Sequence, residues 1–225
     1  MIRDNMKQYQ IALPINTAIY QQLAHITQNL NHKQAESLAK SLAEVMTALT
    51  CDVLQQAFGV LAQREQEDGI ETEKTLAQID QALHKYMPWA LSFFSNTRLQ
   101  PMAKYMLEQF GKKENGQVFL QYSVNTALIE QLFKHLERLY AGEQQACCTV
   151  FAHLIEVIDL GVTTLVREPK KLLKFNFVVD KTLNGVIAMT TNLGYKRIEK
   201  LAQKFSLSQA QYYAQHLQQF IVQQV

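Results

Sequence analysis

Residues 15–23 read INTAIYQQL, and residues 124–132 read VNTALIEQL. When Ile15 is aligned with Val124, the two stretches are identical at five of nine positions. In each, an Asn-Thr pair precedes an apolar run, and an Asn side chain in that place can accept hydrogen bonds from the first free N–H groups of a helix. The two stretches therefore predict related helices that begin near residues 16 and 125.

Three further matches occur in the same order along the chain. They pair residues 42–45 with 154–157, 73–76 with 180–183, and 107–110 with 217–220. The offset between the copies is nearly the same in every match. Because self-similarity at a nearly fixed period is the signature of a repeated structural unit, we predict a tandem duplication.

The apolar residues of the predicted repeats recur with helical periodicity. In the first copy, one apolar stripe with spacings of three and four is formed by Leu38, Leu42, Val45, Leu49 and Val53. The 8 Gly and 4 Pro in 225 residues are too few for a barrel, a sandwich or a nucleotide-binding sheet. We therefore expect an all-α fold, with two four-helix units packed as a pseudo-two-fold bundle of about eight to ten helices.

The same matches set the expected domain boundaries. We expect an N-terminal arm, a first repeat, a linker and a second repeat over residues 1–14, 15–110, 111–123 and 124–225. In the second repeat, Pro169 predicts the end of one helix, and residues 170–192 predict the next. Residues 174–179 alternate like a strand, but the matched segment of the first copy has no strand character.

Localisation is predicted from three features. The first eight residues contain no apolar stretch of the length that a signal peptide needs. The most apolar 20 residues, 147–166, contain His153, Glu156 and Asp159, which predicts a buried helix rather than a membrane span. The three cysteines have no spacing typical of a disulfide framework. We therefore expect a cytoplasmic protein.

Candidates for chemistry are few. The sequence contains no nucleophile elbow, no phosphate loop and no cysteine motif. Asp80 and His84 share one face of a predicted helix, and three possible ligands within residues 153–159 lie along one side of another, but no two histidines stand at metal-site spacing. We predict no catalytic residue, no metal and no cofactor, and leave open whether the protein is an enzyme. Two matched glutamates inside apolar runs, Glu44 and Glu156, could share a proton or hold a cation if symmetry brings them together.

The charge of the chain is uneven. The net charge is only +2, but residues 167–204 carry nine basic and three acidic side chains. Such a concentration predicts contact with an acidic partner or a nucleic acid. The candidate contact residues are Lys170, Lys171, Lys174, Lys196, Arg197, Lys200 and Lys204.

One short stretch near the C-terminus adds to that hypothesis. Residues 201–213 read LAQKFSLSQAQYY. This stretch resembles the second helix-turn-helix of AraC-type regulators, which reads Ile-Ala-x-x-Val-Gly-Phe-Ser followed by an aromatic pair, although Ser206 replaces the turn glycine. The resemblance, which covers about twenty residues, implies a DNA-binding element in which Gln209 and Gln211 face bases.

These patterns favour a non-enzymatic helical interaction or regulatory protein whose partner is another protein. One alternative is a nucleic-acid-binding regulator that uses residues 167–204 and the last helix. A second alternative is a protein that binds an apolar small molecule between its helices. The adaptable side chains that would line such a pocket are Trp89, Phe93, Phe94, Met102 and Met106.

Overall fold

The computed structural model describes residues 8–30, 36–62 and 67–224. Its first half contains β1 (Gln8–Ile15), α1 (Thr17–Asn29), α2 (Ala39–Ala62), α3 (Glu67–Leu91), α4 (Asn96–Glu108) and β2 (Phe110–Lys112). Its second half contains β3 (Val118–Val124), α5 (Thr126–Tyr140), α6 (Ala146–Val162), a π-helical turn (Thr163–Arg167), α7 (Glu168–Leu173), α8 (Phe177–Lys204), α9 (Leu207–Gln218) and β4 (Ile221–Gln224). Both halves therefore begin with a strand, continue with helices and end with a strand.

The strands form one antiparallel sheet in the order β2-β3-β1-β4. Side chains alternate between the two faces of a strand, and the alternating residues of β1 face the core. These buried residues are Tyr9, Ile11, Leu13 and Ile15. The central pair, β1 with β3, joins the two halves of the chain, since each half contributes one of its strands.

The register of the sheet is the same when the two halves are exchanged. Ala12 lies opposite Gln121 at the middle of the β1–β3 pair. The last strand of each half pairs with the first strand of the other half, so that Phe110 lies opposite Leu120 and Ile221 lies opposite Ile11. Each half therefore completes the sheet of its neighbour.

Burial in the helices before the last strands also matches between the halves. Both α4 and α9 follow a serine at the N-cap, Ser95 and Ser206. Counted from these serines, the buried residues fall at the same positions: Leu99, Met102, Ala103 and Met106 in α4, and Ala210, Tyr213, Ala214 and Leu217 in α9. Both helices therefore turn the same face to the core.

The expectation of an all-α fold is confirmed for most of the chain, but it omitted the sheet. Its strands β1 and β3 lie in the stretches interpreted as an arm and a linker, and its edge strands are only three and four residues long. The scarcity of Gly and Pro excludes large sheets with many turns. This sheet has one tight hairpin turn, at residues 113–117, where Gly116 adopts a φ of +80° that favours glycine.

Two helix boundaries differ from the expectation in the second half. Pro169 does not end its helix, since α6 continues through the π-helical turn into α7. A proline inside a helix lacks an N–H and crowds the carbonyl four residues earlier, and the wider π turn before Pro169 relieves that crowding. The chain breaks instead at Lys174, which adopts a left-handed conformation with φ 50°, and Asn176 then caps α8.

The helices contact the sheet where α6 crosses β3. The Tyr122 hydroxyl donates to the Val157 carbonyl oxygen at 3.3 Å, and its ring lies over Gly161. A Cβ at position 161 would stand 2.8 Å from the Tyr122 hydroxyl. Glycine at this position therefore lets α6 lie close to the sheet.

The matched N-caps make a first prediction. The side chains of Asn16 and Asn125 accept from the N–H groups of Ala18 and Ala127 at 2.9 and 2.8 Å. We expect Asn16→Ala and Asn125→Ala each to lower the free energy of unfolding by about 1 kcal/mol, because each leaves a helix end uncapped. Urea denaturation followed by circular dichroism measures the change.

A third variant serves as the control for this prediction. Asn192 is exposed within α8 and caps no helix. Asn192→Ala should leave the stability unchanged or raise it slightly, since Ala has the higher helix propensity. Equal losses in all three variants would contradict the capping role.

Candidate functional site

An apolar cavity of about 220 Å³ lies between α2, α3, α6, α7 and α8. A second cavity, of about 140 Å³, lies between α2, α6 and the sheet. The two share a wall formed by Met46, Thr50, Leu54, Phe58, Ile158, Val162, Leu165 and Val166. The larger cavity exceeds the volume of about 150 Å³ that accommodates benzene in an engineered protein core.

The space exists because α8 presents small and β-branched side chains to it. Val186, Thr190 and Gly194 line the cavity from this helix. Between residues 184 and 196 no α8 side chain is fully buried. A helix with larger inward side chains would fill the volume, as core helices ordinarily do.

Three threonine hydroxyl groups on the cavity wall have partners within their own helices. Thr50 donates to the Met46 carbonyl oxygen at 2.9 Å, and Thr75 donates to that of Glu71 at 2.9 Å. Thr190 donates to the Val186 carbonyl oxygen at 2.9 Å. These side chains turn methyl groups and satisfied oxygens toward the cavity, which favours an apolar occupant.

Charged side chains connect α8 to α3 and α7. Arg197 is only 6% exposed; its Nε donates to Thr72 Oγ1 at 3.0 Å, and its Nη1 bonds Glu71. Near the other end of α8, Asp180 bonds Lys170, and this hydrogen bond lowers the pKa of the carboxyl group. These contacts fix α8 at Asp180 and at Arg197, and the segment of α8 between these two residues covers the cavity.

A third attachment connects α8 to α6. The Tyr195 hydroxyl donates to Asp159 Oδ1 at 2.7 Å, and Arg167 Nη1 lies 2.9 Å from the same oxygen. Burial, and then the hydrogen bond to Asp159, raise the pKa of Tyr195. These surroundings therefore favour the protonated hydroxyl that donates to Asp159.

The residues of the predicted apolar pocket are divided between the interior and the surface. Met102 lines the larger cavity, and Met106 lines the smaller one. Phe94 packs edge-on against Phe175, with ring centroids 4.8 Å apart. Trp89 and Phe93 contact each other at the surface, where they are 37% and 51% exposed. Most of the cavity wall is formed instead by other residues of α2, α3, α6 and α8.

The cations proposed as contacts occupy different environments. Arg197 and Lys170 are bound inside the protein by Glu71 and Asp180, and Lys171 pairs with Glu168. The remaining candidates are exposed: Lys174, Lys196, Lys200 and Lys204. Burial of Arg197 removes one charge from any surface that this segment offers to a nucleic acid.

The two glutamines predicted to face bases have partners within the chain. Gln209 Oε1 accepts from the Ser206 N–H at 2.9 Å and completes a capping box at the start of α9. Gln211 Nε2 donates to the Leu139 carbonyl oxygen at 2.8 Å. Base contacts by either side chain would require these bonds to break, and the nucleic-acid hypothesis stays a prediction.

The two matched glutamates are both exposed and face basic side chains of their own helices. Glu44 Oε1 lies 3.9 Å from Lys40 Nζ, and Glu156 Oε1 lies 3.5 Å from His153 Nδ1. The pattern of buried and exposed positions along α2 matches the pattern along α6 best when Leu42 is aligned with Val150. In that alignment, Glu44 and Glu156 occupy different positions of their helices.

One group of polar side chains brings α2 close to α3. Cys51 Sγ donates to Asp80 Oδ1 at 3.1 Å, and His84 Nδ1 lies 3.3 Å from Asp80 Oδ2. Within the described part of the chain, this is the group of His, Cys and acidic side chains whose ligand atoms all lie within 4.8 Å of one another. The spacing of Asp80 and His84 indicates their common face, but nothing in the sequence pairs them with Cys51.

One long apolar helix passes along both cavities. Among the described residues, the segment Gln144–Leu173 is long and apolar enough to cross a membrane, judged by length and composition alone. In the structure this segment comprises α6, the π-helical turn and α7, and it packs against α5, α8 and the sheet.

No protein-family model, curated protein or solved structure matches the chain.

The Cys51 thiol makes a second prediction. Burial, and then Asp80, raise the pKa of Cys51 to about 12. Because the thiolate is the reactive form, we expect slow alkylation by iodoacetamide at pH 8, slower than that of the exposed Cys148. Asp80→Asn should accelerate the reaction of Cys51 roughly tenfold for each unit by which the pKa falls.

Peptide mass spectrometry measures this reaction at each cysteine. The ratio of Cys51 to Cys148 modification corrects for changes in reagent or stability. A ratio unchanged by Asp80→Asn would show that the carboxylate does not control the thiol.

Proposed function

We propose that the protein binds an apolar small molecule in the cavity between α2, α3, α6, α7 and α8. The observation that supports this proposal is an apolar volume of about 220 Å³, on whose wall Thr50, Thr75 and Thr190 donate to carbonyl oxygens of their own helices. Apolar pockets of this kind bind ligands by removing hydrocarbon from water.

The energetic cost of an empty cavity argues in the same direction. Apolar side chains around an empty space of about 220 Å³ lack van der Waals partners on one side, which lowers the stability of the fold. An apolar ligand restores the lost van der Waals contacts and offsets that cost. The arrangement therefore favours a protein that is stabilised by its ligand.

The chemistry of the wall indicates the class of ligand. The second cavity of about 140 Å³ shares lining residues with the first, so two apolar spaces lie side by side. An uncharged hydrocarbon fits this chemistry, while a sugar or nucleotide would leave its polar groups unpaired. We propose that the protein is a non-enzymatic cytoplasmic regulator that binds an apolar ligand of this class.

Two glycines of α8 provide a matched test. No atom lies within 4 Å of a Cβ built at Gly185 or Gly194, but Gly194 lines the cavity and Gly185 does not. We expect Gly194→Leu to place a side chain in the cavity and weaken binding of the uncharged fluorophore N-phenyl-1-naphthylamine at least tenfold. Gly185→Leu should leave the affinity unchanged.

Fluorescence titration measures the affinity, and thermal unfolding shows that both variants fold. Native mass spectrometry of the gently purified protein is expected to detect a bound apolar molecule in the wild type and to lose it in Gly194→Leu. Failure of the wild type to bind the fluorophore, or equal binding by both variants, would overturn the proposal.

We also propose that the two halves arose by tandem duplication and pack about a pseudo-two-fold axis. The repeated order of strands and helices supports this, as do the exchangeable register of the sheet and the matched caps. Under this interpretation, the pairing of Gln223 with Tyr9 corresponds to that of Lys112 with Val118.

This correspondence predicts that a circular permutant folds. The permutant joins Gln223 to Tyr9 through a copy of the turn sequence 113–117 and opens the chain between Lys112 and Val118. Because both junctions have equivalent strand pairs, we expect the same circular dichroism spectrum and cooperative unfolding. A control permutant is joined in the same way but opened between residues 143 and 144. If the control folds and the permutant opened between Lys112 and Val118 does not, the two strand pairs are not equivalent.

A further inference from the structure

Large apolar side chains are exposed at the end of the molecule where α3, α7 and α8 meet. Phe177 is 80% exposed and Val178 is 71% exposed at the start of α8. Phe93 is 51% exposed, and Trp89 and Leu172 are 37% and 40% exposed. We call these five residues the apolar tip. Grouped exposed hydrophobic residues mark surfaces that contact a partner or a membrane.

The five residues lie in or beside two turns, one after α3 and one between α7 and α8, and contacts between these turns bring the residues together. The Phe94 ring packs against Phe175, and Arg98 Nη2 donates to the Leu173 carbonyl oxygen at 3.1 Å. Ala90 lies in one apolar cluster with Val179 and Leu183. The turn that follows α3 and the turn between α7 and α8 are therefore neighbours.

The surroundings of the apolar tip are positively charged. Residues 89–98 and 168–181 carry five cations and two carboxylates. Both carboxylates are bound by lysines, Glu168 by Lys171 and Asp180 by Lys170. Lys174 and Lys181 are exposed beside the tip. This excess of positive charge complements an anionic surface.

We propose that the apolar tip and its lysines dock on the surface of an anionic phospholipid bilayer. Aromatic side chains favour the boundary between headgroups and acyl chains, and each lysine near an anionic leaflet contributes about 1 kcal/mol. The exposure of Phe177 and Val178 shows that they project from the surface instead of lining a groove, which suits a bilayer better than a peptide. Docking at this place is peripheral and needs no spanning helix.

The same end of the molecule borders the larger cavity. Ala90, Leu173 and Phe175 line that cavity and lie directly beneath the apolar tip. A hydrocarbon exchanged between the bilayer and the cavity would have the shortest apolar path here. The docking proposal does not require a ligand in the cavity, so the two proposals can fail separately.

The single tryptophan of the chain, Trp89, reports on docking directly. We expect its fluorescence to shift to the blue when the 225-residue protein binds vesicles of equal phosphatidylglycerol and phosphatidylcholine. Vesicles of phosphatidylcholine alone should bind at least tenfold more weakly, and added salt should weaken the binding to anionic vesicles. Absence of the shift with anionic vesicles would overturn the proposal.

Two pairs of variants locate the docking surface. Phe177→Ser with Val178→Ser should weaken vesicle binding at least tenfold, while Met189→Ser, 51% exposed in the middle of α8, should not. Lys174→Glu with Lys181→Glu should abolish the preference for anionic vesicles. Lys196→Glu with Lys200→Glu should leave it in place, because these lysines lie roughly 22 Å and roughly 28 Å beyond Lys181 along α8.

Other outcomes are decisive as well. Equal losses in both charge-reversal variants would mean that general electrostatic attraction, and not this surface, holds the protein to the vesicle. Self-association that Phe177→Ser with Val178→Ser removes would assign the tip to a second copy of the chain. If Phe177→Ser with Val178→Ser still binds N-phenyl-1-naphthylamine, its cavity is intact. If Gly194→Leu still binds vesicles, docking does not depend on ligand binding.

Discussion

The antiparallel pair of β1 and β3 holds the molecule together. Strand β1 of the first half pairs with β3 and β4, which both belong to the second half. Strand β3 pairs with β1 and β2, which both belong to the first half. The halves cannot separate without breaking every strand pair of the sheet, including the contacts around Ala12 and Gln121. Separation would also expose the alternating apolar residues of both central strands, so the sheet couples the two helical groups into one cooperative structure.

This sheet explains how the protein tolerates a large interior space. One helical layer, formed by α6 and α2, packs on the sheet, and the close contact of Gly161 with Tyr122 fixes it there. The middle of α8 can then leave space beside α6, because contacts fix α8 near both ends. Asp180 is bound by Lys170 near one end, and Arg197 and Tyr195 are bound by Glu71 and Asp159 near the other. The volume left between the layers becomes the cavity, and its walls are as apolar as a core.

The sequence predicts those features that depend on neighbouring residues. The Asn16 and Asn125 caps are local signals, and both form the expected bonds. Val179, Leu183 and Val186 have the spacing of three and four that is typical of a helix, and they lie in α8 even though residues 174–179 alternate. The strands were missed because β2 and β4 are too short for a periodic signal, and β1 contains Pro14. Their pairing is a property of the whole chain.

The candidate site depends on contacts between distant residues, which no local pattern encodes. Arg197 counts as one more surface cation in the sequence, but it is buried against Glu71, which lies far away along the chain. The predicted pocket residues Met102 and Met106 line the two cavities, while Trp89 on α3 is 37% exposed at the surface. A residue's spacing therefore predicts which side of a helix it occupies, and only the packing decides what lies on that side.

The hairpin turn at residues 113–117 is the covalent bridge between two groups of elements that already hold each other by exchanged strands. A chain cut in this turn by a protease would release no fragment, since β2 remains hydrogen-bonded to β3 and β4 to β1. The two pieces would persist as a non-covalent heterodimer. Such an architecture allows each half to be made and labelled separately and then reassembled.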